Sequence, residues 1–130
     1  MGRDYDNLWV LNEKGQIIFS YIQDEDFNPE MIGEMLIAFN ALIKKLNENE
    51  ISCIDWDKKI IHIIKENKLI FASCTEPGLK LEKVEEKLSY IANRFFSIYS
   101  TVLINDFDGD RSIFANSEER FTQVVENAFD

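Results

Sequence analysis

Residues 51–75 read ISCIDWDKKIIHIIKENKLIFASCT, and this segment is the most informative about the fold. It contains three runs of strand-forming residues: Ile51–Trp56, Ile60–Ile64 and Leu69–Cys74. Short polar segments separate the runs, with Asp57-Lys58 placed to make a tight turn. Isoleucine and aromatic residues bounded by such turns are typical of consecutive antiparallel strands. The stretch therefore predicts a three-stranded meander.

The residues before the meander predict two further strands. Leu8-Trp9-Val10-Leu11 is an unbroken apolar run, and Gln16–Ile22 follows it after the polar loop Asn12-Glu13-Lys14-Gly15. Such a pair is typical of a β-hairpin. The first and fifth strands are the most continuously apolar, so we expect both at the sheet centre. A sheet order 2-1-5-4-3 satisfies this and lets every neighbour pair antiparallel.

Helical periodicity appears in three other segments. Asn28-Pro29-Glu30 is a favourable helix start, because Asn caps free N–H groups and Pro suits the first helical position. A long helix is predicted over 30–47, a second from Leu79 to about Leu103, and a short one from about Ser117. We expect a single α+β domain over residues 1–130. Its five-stranded antiparallel sheet would carry the long helix on one face and the two C-terminal helices on the other.

Composition narrows the class of function. The formal net charge is −10, which disfavours binding to nucleic acid or to anionic lipid, and the best basic patch is Lys44, Lys45, Lys58 and Lys59. No apolar run is long enough for a membrane span, and the N-terminal residues lack a secretory signal, so we expect a cytoplasmic protein without stable membrane insertion. Cys53 and Cys74 lie in apolar runs, which predicts two buried free thiols.

Catalytic and metal-binding motifs are weak. His62 is the only histidine, and its alternation with Ile60 and Ile64 predicts a packed or half-exposed strand residue instead of a catalyst. Asp106-x-Asp108-x-Asp110 opens like an EF-hand loop, but Arg111 and Ser117 occupy the places that require Gly and Glu. We therefore predict no catalytic residue, no metal and no cofactor.

The chain resembles the longin-like family of trafficking and small-GTPase-associated domains. The resemblance covers roughly Leu8 to Val125 and rests on four features: the hairpin Leu8–Leu11 to Ile17–Phe19, the helix after Asn28-Pro29, the meander, and the helix Ile91–Tyr99 with its aromatic end. It is closest in kind to free-standing longin-like subunits. The resemblance implies a scaffold without catalysis that pairs with itself or another longin-like chain, or binds a small GTPase.

The same resemblance implies where a partner would bind. Longin-like domains commonly pair through the first helix and a neighbouring sheet edge, which corresponds here to the outer face of the 30–47 helix and the strand Ile51–Trp56. The expected partner-binding residues are Ile51, Cys53, Ile54 and Trp56. Two other classes stay open: a PAS-like small-molecule sensor with the same sheet order, and, with least support, a small hydrolase or transferase.

Overall fold

The structure is a computed structural model that describes residues 5–14, 16–22, 41, 44–48, 50–56, 59–99, 104, 107 and 114–129. It is an α+β fold with one five-stranded sheet. The strands are β1 (Tyr5–Leu11), β2 (Ile17–Ile22), β3 (Ile51–Trp56), β4 (Lys59–Glu66) and β5 (Leu69–Thr75). Their order is β2-β1-β5-β4-β3 and all neighbours are antiparallel, which confirms the predicted sheet.

Burial explains why β1 and β5 occupy the centre. All seven residues of β5 are buried, and the run from Leu8 to Leu11 in β1 is fully inaccessible to solvent. A strand that is apolar on both faces gains most where other elements pack on both faces, and such packing covers the middle of a sheet more completely than its edges. β2 and β3 mix polar and apolar residues, and each lies at an edge.

The turn between β4 and β5 has left-handed backbone. Asn67 and Lys68 have φ angles of 50° and 68°, as a two-residue type I′ hairpin requires. Asn tolerates this conformation well, but Lys does so less readily. The Glu48 carboxylate accepts hydrogen bonds from the backbone N–H groups of both residues, at 2.6 and 3.1 Å, and so holds the turn.

Two described helices follow the sheet: α1 (Leu81–Ile98) and α2 (Ala115–Phe129). The buried residues of α1 form one stripe at helical spacing, consisting of Val84, Leu88, Ile91, Ala92 and Phe95. α1 ends five residues before the predicted limit at Leu103. Tyr99 adopts extended backbone, and its ring packs 4.5 Å from Phe95 and 5.2 Å from Phe114. α1 therefore ends at the position where the Tyr99 ring is buried.

Both helices contribute to a core on one face of the sheet, which we call the aromatic core. Phe19 and Phe71 of the sheet meet Phe95 of α1 and Phe121 of α2 here. The rings pack edge to face at centroid distances of 4.6 to 5.6 Å, a favourable aromatic geometry. α1 lies over β4 and β5, whereas α2 contacts β1 and β2.

The opposite face carries a second cluster, which we call the aliphatic core. Its buried members are Trp9, Leu11, Leu46, Ile61, Ile63, Ile70, Ala72 and Cys74, with Ile17 and Ile54 packed beside them. Leu46 belongs to the segment predicted as the 30–47 helix, and its side chain is buried in this cluster. Lys44, Lys45, Leu46 and Asn47 are not helical, so the predicted helix limit near Asn47 is wrong, and of the remaining segment only Ala41, which is helical, lies within the described residues. The predicted placement of this helix therefore stays a prediction.

Candidate functional site

At the outer edge of β3, no other strand within the described part of the chain pairs with the backbone. Among the described strands, only β4 pairs with β3. The backbone N–H of Lys65 donates to the backbone C=O of Glu50, so these two residues form a hydrogen-bonded pair. Hydrogen-bonded and non-hydrogen-bonded pairs alternate along an antiparallel ladder. The next residues of β3 that bond to β4 are therefore Ser52 and Ile54. Ile51, Cys53 and Asp55 alternate with them. Their N–H and C=O groups consequently point away from β4, toward the open edge.

The side chains of β3 divide between the two faces. Ile51 and Ile54 are partly buried, Ile51 against the aromatic core and Ile54 against the aliphatic core. Cys53 and Asp55 are exposed on the same face as Ile51. The expectation of a buried Cys53 is wrong, because an edge strand has a covering neighbour on one side only. Cys74 is buried as predicted, and the Trp56 side chain lies outside the described residues.

A polar row crosses the face that bears the aromatic core. Cys53 is directly opposite His62, and His62 is directly opposite Ser73 on β5. His62 is 5% exposed and Ser73 is inaccessible, yet neither the His62 Nδ1 nor the Ser73 Oγ has a hydrogen-bond partner. Burial lowers the pKa of His62 below its ordinary value. This imidazole is packed, as predicted, and its burial favours the neutral form.

Sequence reasoning missed this row, although the signal was present. β3 and β4 are joined by a two-residue loop, and so are β4 and β5. Loops of that length set the strand register, and the register alone places Cys53, His62 and Ser73 side by side. The alternation within β4 predicts only how His62 packs in its own strand and does not indicate its cross-strand neighbours.

Acidic residues gather where α1 passes the end of β4. Glu66 accepts a hydrogen bond from Ser89 at 3.3 Å. Burial raises the pKa of Glu66, the nearby Glu48 and Glu85 carboxylates raise it further, and the Ser89 hydrogen bond opposes them. An opening of about 360 Å³ lies along the same flank of α1, lined by Glu82, Glu85, Glu86 and Ser89. This opening lies beside α1, whereas the sensor alternative requires a cavity beneath the predicted 30–47 helix.

The second sheet edge, β2, is more protected. Ile18 and Phe19 are buried in the aromatic core, and the Tyr21 ring lies 6.1 Å from Phe129 of α2. Ile22 is 41% exposed at the end of the strand. α2 therefore covers one face of β2. In β3, by contrast, exposed side chains lie in the middle of the strand.

The remaining sequence candidates give no site within the described residues. No three His, Cys, Asp or Glu side chains in that part of the chain lie close enough together to hold a metal ion. The Asp106–Asp110 motif falls outside it. Lys44 and Lys45 are exposed, as expected for solvated lysines, and Lys59 pairs with Glu76. No described helix has the length and hydrophobicity needed to cross a membrane.

Comparisons with known proteins add no assignment: no protein-family model matches the chain, and no curated protein matches its sequence.

Proposed function

We propose that this chain is a non-enzymatic interaction module that pairs through the open edge of β3. The observation that carries the proposal is the row of backbone N–H and C=O groups at Ile51, Cys53 and Asp55 that point away from β4. Strand addition to such an edge supplies main-chain hydrogen bonds, and it is a recurrent mode of protein association.

The edge carries few of the devices that prevent strand addition. Proteins commonly block an edge with Pro, with Lys or with a bulge. β3 contains neither Pro nor Lys, and its register with β4 is continuous from Ile51 to Trp56. Asp55 is the one charge within the strand. An edge of six residues without Pro, Lys or a bulge is long enough for a partner strand to form several hydrogen bonds.

A second copy of the chain is the occupant that we propose for the test. Antiparallel pairing of two β3 strands about Cys53 would place Asp55 of each copy opposite Ile51 of the other. That register avoids a direct contact between like charges and gives a self-complementary two-fold interface. The net charge of −10 opposes association of two copies, so pairing should strengthen as salt rises toward physiological levels.

The longin-like resemblance broadens the class of partner. It supports a role in trafficking or GTPase regulation, in which the chain pairs with another longin-like chain or binds a small GTPase. The sheet order agrees with that resemblance, and so does the position of β3 at the edge. The proposed partner-binding residues remain Ile51, Cys53, Ile54 and Trp56, with Asp55 added because its backbone faces outward.

Asp55→Pro tests the proposal with little disturbance to the fold. The residue is exposed, and its N–H points away from β4, so proline removes an outward donor and leaves the β3–β4 ladder intact. Asp55→Ala is the matched control, because it removes the same charge and keeps the N–H. Ile54→Lys is less suitable, since Ile54 packs against the aliphatic core.

Self-association is measured by analytical ultracentrifugation at low and physiological salt, and partners are captured from native lysate with each variant. We expect Asp55→Pro to weaken the association by about tenfold or more, which is about 1.4 kcal/mol, whereas Asp55→Ala keeps it. Circular dichroism should be the same for all three proteins. The proposal fails if the native chain associates with nothing, or if Asp55→Pro retains every association of the native chain.

A further inference from the structure

Basic residues follow one side of α1. Lys80, which directly precedes the helix, is followed by Lys83, Lys87, Tyr90 and Arg94 at alternating spacings of three and four residues. In an α-helix these positions fall within an arc of about 80° and extend for about 21 Å along the axis. We call this set of five residues the basic stripe.

The basic stripe lies beside the face of α1 that packs on the sheet. Around the helix axis, the stripe is centred about 100° away from the buried residues of α1. The three acidic residues of the helix, Glu82, Glu85 and Glu86, line the opening on the other flank. Glu86 is the one nearest to the stripe, and it makes no ion pair with Lys83. α1 therefore separates its charges into a basic side and an acidic side.

The side chains of the basic stripe are accessible to solvent. Lys80, Lys83 and Arg94 are exposed, Lys87 is half-buried, and Tyr90 is 51% exposed. Lys80, Lys83 and Arg94 make no ion pair with any residue in the described part of the chain. Within that part of the chain, the positive charge of these three residues is therefore available to a partner.

Tyr90 adds an apolar contact to the stripe. It is one of three large hydrophobic side chains that are exposed among the described residues, and it lies between Lys87 and Arg94 in the stripe. Tyrosine is enriched in protein interfaces, because its ring buries a large apolar area while its hydroxyl group still forms a hydrogen bond. The stripe therefore combines positive charge with a site for an apolar side chain.

We propose that the basic stripe binds an acidic helical segment of a partner protein. Alternating spacings of three and four residues are those at which two packed helices meet along a seam. Carboxylates at the same spacings on a partner helix would face the four basic residues of the stripe, and an apolar residue between them would pack on Tyr90. The length of the stripe corresponds to about four turns of such a helix.

The net charge of the chain favours a short acidic segment over other anions. The whole chain carries −10, so nucleic acid or an anionic membrane surface is repelled over an area much wider than the stripe. A short peptide contacts the stripe alone. At physiological salt, charges farther from it than about 8 Å are largely screened. The attraction of the stripe therefore outweighs the net repulsion only for a ligand of about its own size.

The probe is a blocked helical peptide of about 16 residues, which spans about 24 Å as a helix. It carries Glu at alternating spacings of three and four residues and one Leu at the position opposite Tyr90, and a second peptide has Gln in place of every Glu. Isothermal titration calorimetry measures the binding of both peptides to the chain at low and physiological salt. We expect the Glu peptide to bind at least about tenfold more tightly at low salt, and this advantage to shrink as salt rises.

Variants of the chain locate the binding surface. Lys83→Gln/Arg94→Gln should weaken binding of the Glu peptide by about three- to tenfold, because each exposed charge pair contributes modestly. Lys14→Gln/Lys45→Gln is the matched control, since it changes the net charge equally at two exposed lysines outside α1, and its affinity should stay within about twofold of the native value. Tyr90→Ala should weaken binding by about fivefold, whereas Tyr90→Phe keeps the ring and most of the affinity.

This proposal does not depend on pairing through β3, so Asp55→Pro should bind the Glu peptide with native affinity. Urea unfolding checks that each variant is folded, and the single variants Lys83→Gln and Arg94→Gln replace the double variant if its unfolding differs from that of the native chain. The proposal is overturned if the native chain does not prefer the Glu peptide, or if the stripe variants bind it no more weakly than the matched control.

Duplex DNA and vesicles that contain phosphatidylserine test the choice of partner, and neither should bind under the same conditions. Binding of either one as tightly as the Glu peptide, with the same loss in Lys83→Gln/Arg94→Gln, would also overturn the proposal. The stripe would then be a general site for anions instead of a site for an acidic protein segment.

Discussion

Truncation of Phe95 to Ala tests the architecture that positions the β3 edge. Phe95 is inaccessible to solvent, and its ring contacts four other aromatic rings. The centroid distances are 5.6 Å to Phe71, 5.5 Å to Phe96, 4.5 Å to Tyr99 and 5.1 Å to Phe121. This one side chain joins α1 to the sheet and to α2. Its removal should leave a cavity that the surrounding rings fill only in part.

The magnitude follows from two terms. Replacing a buried Phe with Ala costs about 3–5 kcal/mol, which includes the cavity, and favourable aromatic pairs contribute about 0.5–1.5 kcal/mol each beyond burial. With four ring neighbours we expect about 4–5 kcal/mol, a large part of the 5–15 kcal/mol typical of whole domains. Phe95→Leu keeps most of the volume and should cost about 1–2 kcal/mol.

Urea unfolding followed by circular dichroism measures these losses, with the slopes compared to check that all variants unfold in the same way. Tyr90→Ala is the control, since Tyr90 lies on the same helix but is 51% exposed, and it should change the free energy of unfolding by no more than about 0.5 kcal/mol. A loss below about 1 kcal/mol for Phe95→Ala would refute the packing of α1 described above.

Two further predictions concern pH. Burial lowers the pKa of His62 below 6.5, so the folded state binds this proton less readily than the unfolded chain. The free energy of unfolding should therefore fall as pH drops below about 6.5. His62→Phe should remove part of this dependence of stability on pH. Thermal unfolding between about pH 7.5 and 5.5 checks this, and an unchanged slope in the variant would contradict it. The effect of Glu66 on stability has the opposite dependence on pH, because burial raises the pKa of its carboxyl group and the charged form costs stability near neutral pH. Glu66→Gln keeps the acceptor for Ser89 and should raise the stability at pH 7 by up to about 1 kcal/mol, with no gain near pH 4; a lower melting temperature at pH 7 would show that the carboxylate is stabilising.

The sheet could be predicted because its strands are separated by clear polar turns. The bounds of β3 agree with the sequence pattern, and the continuous apolar character of β1 and β5 predicted their central position. Helix limits were less accurate: α1 ends at Ile98 instead of near Leu103. Periodicity continues past that point, but packing of Tyr99 against Phe95 and Phe114 accompanies the end of the helix. Long-range contacts of that kind leave no local signal.

Locating the candidate site required both the sequence pattern and the tertiary structure. The sequence indicated that Ile51–Trp56 is an edge strand, and local pattern was sufficient for that. It did not indicate that Cys53 is exposed, because its apolar neighbours resemble those of the buried Cys74. Exposure of a strand residue depends on whether its strand lies at the centre or at the edge of the sheet, and that position results from pairing with strands distant in the chain.

The pattern of residues was sufficient to predict the set of strands and their order in the sheet. These follow from local preferences and from the cost of exposing apolar residues. The backbone groups of β3 that point outward, and the side chains that meet across the strands, became evident only from the folded structure. Hydrogen-bond register alternates residue by residue, so a shift of one position would exchange the outward groups and separate Cys53 from His62. That register results from the pairing of whole strands, and no single residue specifies it.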